Sequence, residues 1–228
     1  MADQMPAGPA AGRAVKADAS EAVEAAAAVL RSGGIVVLPT DTVYGVAARP
    51  DDPGAVRAVY RAKGRPSGMQ LPVLAASAGQ VRALGVSFGA AASVLAGRWW
   101  PGPLTLAFAF DLRAARPDWL DGRDEVAVRV PDHDFVRALL SETGVLVVTS
   151  ANPHGEPTPL TAAAASAGLG RSVDLVVDGG ALTEVPSTLV NLGGAEPVVE
   201  RAGAIPKSDI LEALRAAGAG ARGGGGAP

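Results

Sequence analysis

The stretch GGIVVLPTDTVYGVAA, Gly33 to Ala48, begins as a core strand and then empties into two threonines and an aspartate. Ile35-Val36-Val37-Leu38 is a continuous apolar run, the pattern of a strand covered on both faces. Packing explains that run, but not the Pro39-Thr40-Asp41-Thr42 cluster behind it. In open α/β sheets, ligands sit outside strand ends, where loops place polar groups over a crevice. The cluster therefore reads either as a turn cap or as the rim of a ligand site.

Working outward, Asp18 and Glu21 stand at capping-box spacing before EAVEAAAAVLRSGG, which predicts a helix stopping at Gly33. DPGAVRAVYRAKG reads as a second helix, with Asp52 before it and Gly64 after. Short apolar runs at 71–75, 104–110, 125–130, 145–149, 173–177, 188–192 and 197–200 predict strands. Helical segments fall between them, at 77–84, 87–97, 132–142, 161–167 and 207–217. This mixture predicts an α/β (α+β) fold with a mostly buried sheet, too irregular for a doubly wound order. The Pro-, Gly- and Ala-rich ends, 1–17 and 218–228, read as flexible tails around one domain spanning 18–217.

Composition removes several function classes. A formal net charge of −3 over 228 residues argues against a generic nucleic-acid coat. The absence of cysteine removes disulfides, thiolate zinc sites and cysteine nucleophiles. His133 and His154 are the only histidines, too few for a histidine-rich metal site, and both read as surface residues. No apolar run approaches the roughly 18 residues of a membrane span, and the N-terminus has no signal-like apolar core. No membrane association and a cytoplasmic location are expected.

Two further polar breaks matter. KGRPSGMQLPV links the helix ending near Ala62 to the strand near 71–75, and VLVVTSANPHGEPTP follows the strand at 145–149. Lys63-Gly64-Arg65-Pro66 is either a basic helix end with its stop signal or a cation clamp for phosphate or carboxylate. Lysine occurs only at positions 16, 63 and 207, so a lone central lysine in an arginine-rich chain favours the clamp. Ser150 and Asn152 read as a strand-ending turn or as a second rim of the same site. Ser150 lies in no G-x-S-x-G elbow, which argues against a serine hydrolase. Arg129, in VAVRVPDH, ends a predicted strand, where its charge must reach solvent or find an anion. No P-loop is present, so any use of ATP relies on another device.

Taken together and in order, SGGIVVLPTDTVYGVAA, YRAKGRPSGMQLPVL, RWWPGPLTL, VAVRVPDH, VTSAN, PSTLV and ERAGAI resemble the YrdC-like family over about residues 20–215. Its typical members are L-threonylcarbamoyladenylate synthases, and this chain is similar to the short, single-domain type. The resemblance implies a twisted mixed sheet flanked by helices, with a positively lined cleft. It implies the conversion of L-threonine, bicarbonate and ATP to threonylcarbamoyl-AMP, pyrophosphate and water, with Mg²⁺ accompanying ATP and no protein-held metal. The product would feed a tRNA threonylcarbamoyl-transfer complex, with at most weak contact to tRNA itself.

By carry-over, Thr40, Tyr44, Arg129, Ser150 and Ser187 would line the threonine side. Lys63, Asn152, Thr158 and Arg201 would lie on the ATP side, with Lys63 and Arg65 as the catalytic cations near the phosphates. Asp41 would hold its loop in shape. Met69-Gln70 depart from the family's usual polar stretch after KGRP, which bears on the choice of amino acid. The alternatives are a carbamoyl-adenylate-forming enzyme for another acceptor, a non-catalytic RNA-binding relative, and an inactive relative.

Overall fold

A computed structural model describes residues 13–182 and 185–218. Among these residues, ten strands form one mixed sheet. They are β1 Arg13–Lys16, β2 Val36–Leu38, β3 Gly45–Ala48, β4 Val73–Leu74, β5 Leu104–Ala109, β6 Glu125–Arg129, β7 Leu146–Ser150, β8 Leu175–Asp178, β9 Thr188–Asn191 and β10 Val198–Arg201. The helices are α1 Ala22–Arg31, α2 Pro53–Lys63, α3 Ala78–Arg82, α4 Ala90–Trp99, α5 Asp134–Thr143, α6 Ala162–Leu169 and α7 Lys207–Ala216. The sheet order is β1-β8-β2-β3-β7-β4-β6-β5-β9-β10.

Alternation along the strands divides the core in two. Ile35 and Val37 point into one cluster, with Val59 of α2, Leu95 of α4, Leu169 of α6 and Ile210 of α7. Val36 and Leu38 point into the other, with Leu30 of α1 and Leu139 and Leu140 of α5. A side-chain period of 2 thus serves two helical layers, and the continuous apolar reading of 35–38 follows from both faces being covered. Each fully buried leucine, isoleucine or valine contributes about 1.5–3 kcal/mol.

α2 carries its own signals. Asp52 caps it, accepting from the N–H groups of Gly54 and Ala55 at 2.8 and 3.0 Å, and Gly64 ends it at φ +60°. α1 does not use the expected capping box. Glu21 itself occupies the N-cap position in helical conformation and makes no side-chain cap bond. The chain has just left the sheet edge, where Ala17 N–H bonds Asp178 O, and it turns at once into the helix.

Two strands escaped the sequence. β1 falls inside the stretch read as a tail: Arg13–Lys16 pair parallel with Leu175–Asp178 at the sheet edge. Its mostly exposed RAVK carries too little apolar alternation to announce a strand. The rest of the N-terminal tail, residues 1–12, and most of the C-terminal one, 219–228, lie outside the described residues. β3 is GVAA, buried at every position. Its small side chains suit a tight fit, since a Cβ at Gly45 would stand 2.6 Å from Val148 Cγ1.

Register positions the polar loops. Gly45 pairs with Ser150, so the loop leaving β2 meets the end of β7. Arg129 pairs with Leu74 on one side and Thr105 on the other.

Candidate functional site

The 39–44 loop closes on Arg129. The guanidinium donates through Nε to Gly102 O at 3.0 Å, through Nη1 to Thr42 Oγ1 at 2.6 Å, and through Nη2 to Asp41 Oδ1. Both partners of this ion pair are largely buried. Arg129 thus finds its anion inside the protein, in Asp41. Because arginine only donates, Thr42 accepts from it and passes its own proton to Thr40 Oγ1 at 3.0 Å. Thr40 in turn donates to Val43 O at 2.7 Å and accepts from the N–H groups of Thr42 and Val43. Its hydroxyl is committed to the loop, as the turn-cap reading requires.

Tyr44 is pinned from the other side. Its hydroxyl donates to Gly180 O at 2.7 Å and accepts Gly179 N–H at 3.0 Å. The residue is fully buried, and burial raises its phenol pKa. It therefore braces the rim from behind and lines no open pocket.

Lys63 ends α2 but does not face water: its relative exposure is 3%. The ammonium donates to Ser150 O and Asn152 O, each at 2.5 Å, with Asn152 Oδ1 at 3.4 Å. The Asn152 amide donates onward to Pro153 O and Glu156 O at 3.0 and 2.6 Å, holding the first half of the 153–160 loop. Among the described residues, no carboxylate pairs with Lys63, Arg65 or Arg201. Burial, and then the nearby Arg65 charge, push the lysine pKa down to about 8. Arg65 is half-exposed, donates to Gln70 O at 3.2 Å, and keeps a buried Nε without a partner.

A third group completes the arrangement. Thr105 Oγ1 and Ser187 Oγ lie 2.7 Å apart. Arg201 donates to Ser187 O from Nε and Nη2 at 3.2 and 3.0 Å, and from Nη2 to Ser187 Oγ at 3.1 Å. Arg201 is exposed as a residue, but partial desolvation of its guanidinium, and then the Arg129 charge, lower its pKa. The segment after Arg201 seats against 186–187 so closely that a Cβ at Gly203 would stand 2.4 Å from Pro186 O and 2.5 Å from Ser187 C. We predict that Gly203→Ala displaces Ser187 and Arg201 together. It should cost about 1–3 kcal/mol of overpacking strain, read in urea unfolding.

The three groups are contiguous. Gly45–Ser150 pairing joins the 39–44 loop to the Lys63 site, and Thr105 joins Arg129 to Ser187. The Ser150 hydroxyl is half-buried and unbonded among the described residues, and so is that of Thr158, on the 153–160 loop. Thr42 was read only as part of its loop, with no role of its own, and Thr105 was missed by sequence reasoning. Thr105 is a lone hydroxyl inside LTLAFAF, and that interruption of an apolar strand was the available signal. His154 is exposed as expected, while His133, at the N-cap position of α5 with no side-chain cap bond, is half-buried with Nδ1 enclosed. A separate depression of about 400 Å³, lined by Gln70, Asp124, Glu125 and Asn191 among others, holds none of these cations.

The site of this α/β protein thus carries two pairs of cations, Lys63 with Arg65 and Arg129 with Arg201, and one carboxylate, Asp41, bound to Arg129. Residues 28–203 match the family model Sua5/YciO/YrdC, described as "Telomere recombination". This chain belongs to that family. A Bacillus subtilis protein named threonylcarbamoyl-AMP synthase is 38% identical over 187 residues, covering 81% of this chain and 54% of its own length. The chain thus spans about half of that relative. A Mycobacterium tuberculosis relative of similar length is 36% identical over 196 residues, 86% of this chain and 90% of its own. The crystal structure of Pyrococcus abyssi Sua5 complexed with L-threonine superposes with a TM-score of 0.80 at 33% identity, covering 89% of this chain and 60% of that one.

Proposed function

We propose that this chain is an L-threonylcarbamoyladenylate synthase, forming threonylcarbamoyl-AMP, pyrophosphate and water from L-threonine, bicarbonate and ATP. The observation that carries this reading is the buried Lys63 ammonium, held against backbone carbonyls without a carboxylate, beside Arg65. A cation desolvated without a counter-ion is costly, and a polyanionic ligand relieves that cost.

The reaction needs no protein nucleophile. The carbamate formed from the threonine amine and bicarbonate attacks the α-phosphorus, and pyrophosphate leaves. Two anions must be held together while charge shifts on the transferring group, a task of positioning and electrostatics. Arg129 uses three of its five N–H donors on protein, leaving two for the carboxylate of threonine or its carbamate. Ser150, with its free hydroxyl, and Ser187 complete that side. Arg201, whose Nη1 makes no bond among the described residues, faces the nucleotide with Lys63, Arg65 and Thr158. Asn152 sets the nucleotide-side loop, while Thr40 and Tyr44 hold the rim from behind.

Among the described residues, no group of three or more acidic or histidine side chains converges to hold a metal. Asp41, the acid bound at this site, is committed to Arg129. In this reading Mg²⁺ arrives on the phosphates of ATP, as part of the substrate. No helix among the described residues is long and apolar enough to cross a membrane. A labile adenylate calls for a consuming partner close by, so the product passes in the cytoplasm to a tRNA threonylcarbamoyl-transfer complex, with weak tRNA contact at most.

The direct assay is pyrophosphate release with ATP, Mg²⁺ and bicarbonate, comparing L-threonine, serine and no amino acid. Release requiring both threonine and bicarbonate supports the reading. Release without an amino acid points to another acceptor, and no release points to a non-catalytic relative.

Lys63 also predicts a divergence with pH. Its charge draws the nucleotide, so kcat/KM for ATP should fall as pH rises through about 8. Stability should move the other way. The unfolded lysine keeps its proton up to about 10.5 and the folded one only to about 8, so the unfolded state binds more protons between them. Folding stability therefore rises across that window, by an amount on the order of 3 kcal/mol. Urea unfolding at both ends of the window, beside the pH–rate profile, checks both signs.

A further inference from the structure

Two polar atoms behind the site are buried and bonded to nothing among the described residues: Oδ2 of Asp41 and Nδ1 of His133. The other Asp41 oxygen is given to Arg129. His133 stands at the N-cap of α5, where its ring meets Phe135 edge-on with centroids 6.3 Å apart. Its Nε2 end lies 3.7 Å from where a Cβ at Gly179 would stand, beside the turn that pins Tyr44.

The charges facing the imidazole are Asp41 from the 39–44 loop, and Asp134 and Asp132 from its own segment. Arg137 takes the last two, at 2.7 and 3.9 Å, and both lie in solvent. Asp178, next to Gly179, is committed to Lys16 at 2.6 Å. Asp41 is the buried member of this set and the one with an unpaired enclosed oxygen. Burial lowers the His133 pKa, against the opposing pull of these three aspartates, so the ring is neutral at pH 7.

Buried polar atoms in folded proteins find partners. These two make no direct bond, and one enclosed water between them would satisfy both. We propose that His133 is a positioning residue for the Asp41–Arg129 pair: as its Nδ1–H tautomer it donates, through one enclosed water, to Asp41 Oδ2. This fixes the carboxylate that aims Arg129 at the amino-acid substrate. Of the two neutral tautomers, this is the one that can donate from Nδ1 toward the carboxylate, since an unprotonated Nδ1 only accepts. The consequence for substrate rests on the role given to Arg129 above; the link between His133 and Asp41 does not.

The test has two arms. The first reads the imidazole ¹⁵N signals of the wild-type protein, with exposed His154 as internal reference and His154→Gln for assignment. The expected result is the Nδ1–H tautomer at His133, with a titration that moves lower in Asp41→Asn while His154 stays put. This arm needs no activity, so it stands even if the synthase reading fails. The second arm compares His133→Ala with His133→Asn, whose amide N–H replaces that of Nδ1. His133→Ala should raise the threonine KM about tenfold, the size of one lost hydrogen bond to a charged group. The ATP KM and kcat should stay near wild type, and His133→Asn should restore most of the loss. An Nε2–H tautomer, a titration unmoved by Asp41→Asn, or alanine and asparagine variants that weaken ATP and threonine equally would overturn the proposal.

Discussion

Lys63→Met should abolish turnover, with a loss of at least about 100-fold in kcat/KM, the effect of removing a preorganised charge from a transferring adenylyl group, while global stability should change by no more than about 3 kcal/mol. Two opposing quantities set the second figure. Removing the ammonium leaves the carbonyls of Ser150 and Asn152 without their donor, at about 1–3 kcal/mol each. The same change abolishes the desolvation of a cation whose pKa burial has driven to about 8, worth on the order of 3 kcal/mol. The terms nearly cancel in stability, but nothing replaces the charge in catalysis. The variant should also loosen the 153–156 segment, since Asn152 holds Pro153 O and Glu156 O and is itself held by Lys63. Pyrophosphate release, urea unfolding and amide exchange over 150–156 check the three parts. A stable variant with wild-type turnover would remove Lys63 from the site.

Arg129→Ala behaves differently because its partner is an acid. It strands Asp41 in a buried position and leaves Thr42 Oγ1 and Gly102 O without their donor. Breaking a buried pair from one side costs about 3–5 kcal/mol, so this variant should lose both stability and threonine affinity. Asp41→Ala combined with Arg129→Met removes both charges and should recover much of the stability but none of the threonine binding. A double-mutant cycle in urea, with threonine affinity measured by calorimetry, separates the two roles. Equal losses in the single and double variants would show that Asp41 is not the counter-ion of Arg129.

The apolar runs made most of this fold legible. The 35–38 run, with both faces covered, fixed a central strand, and Asp52 and Gly64 bracketed α2 through capping chemistry that acts within a few residues. β1 and β3 stayed hidden for opposite reasons: RAVK is an exposed edge held by backbone pairing, and GVAA is too small to advertise burial. The site residues stood out as polar breaks at strand ends, but their orientation did not. Whether Thr40 offers its hydroxyl to a ligand or spends it on Val43 is decided by a turn three residues long. That Arg129 meets Asp41, and that Lys63 lies under the 150–152 backbone, depends on pairings 88 and 87–89 residues apart in the chain. No local pattern encodes them.

The central claim is that the site joins threonine, bicarbonate and ATP in one product. Mass spectrometry of a reaction containing ¹³C-bicarbonate, quenched early because the adenylate is labile, tests it most directly. The account predicts a threonylcarbamoyl-AMP ion that gains one mass unit from the label, is absent without threonine, and appears in step with pyrophosphate. An unlabelled adenylate, or a labelled product formed equally well without threonine, would contradict it.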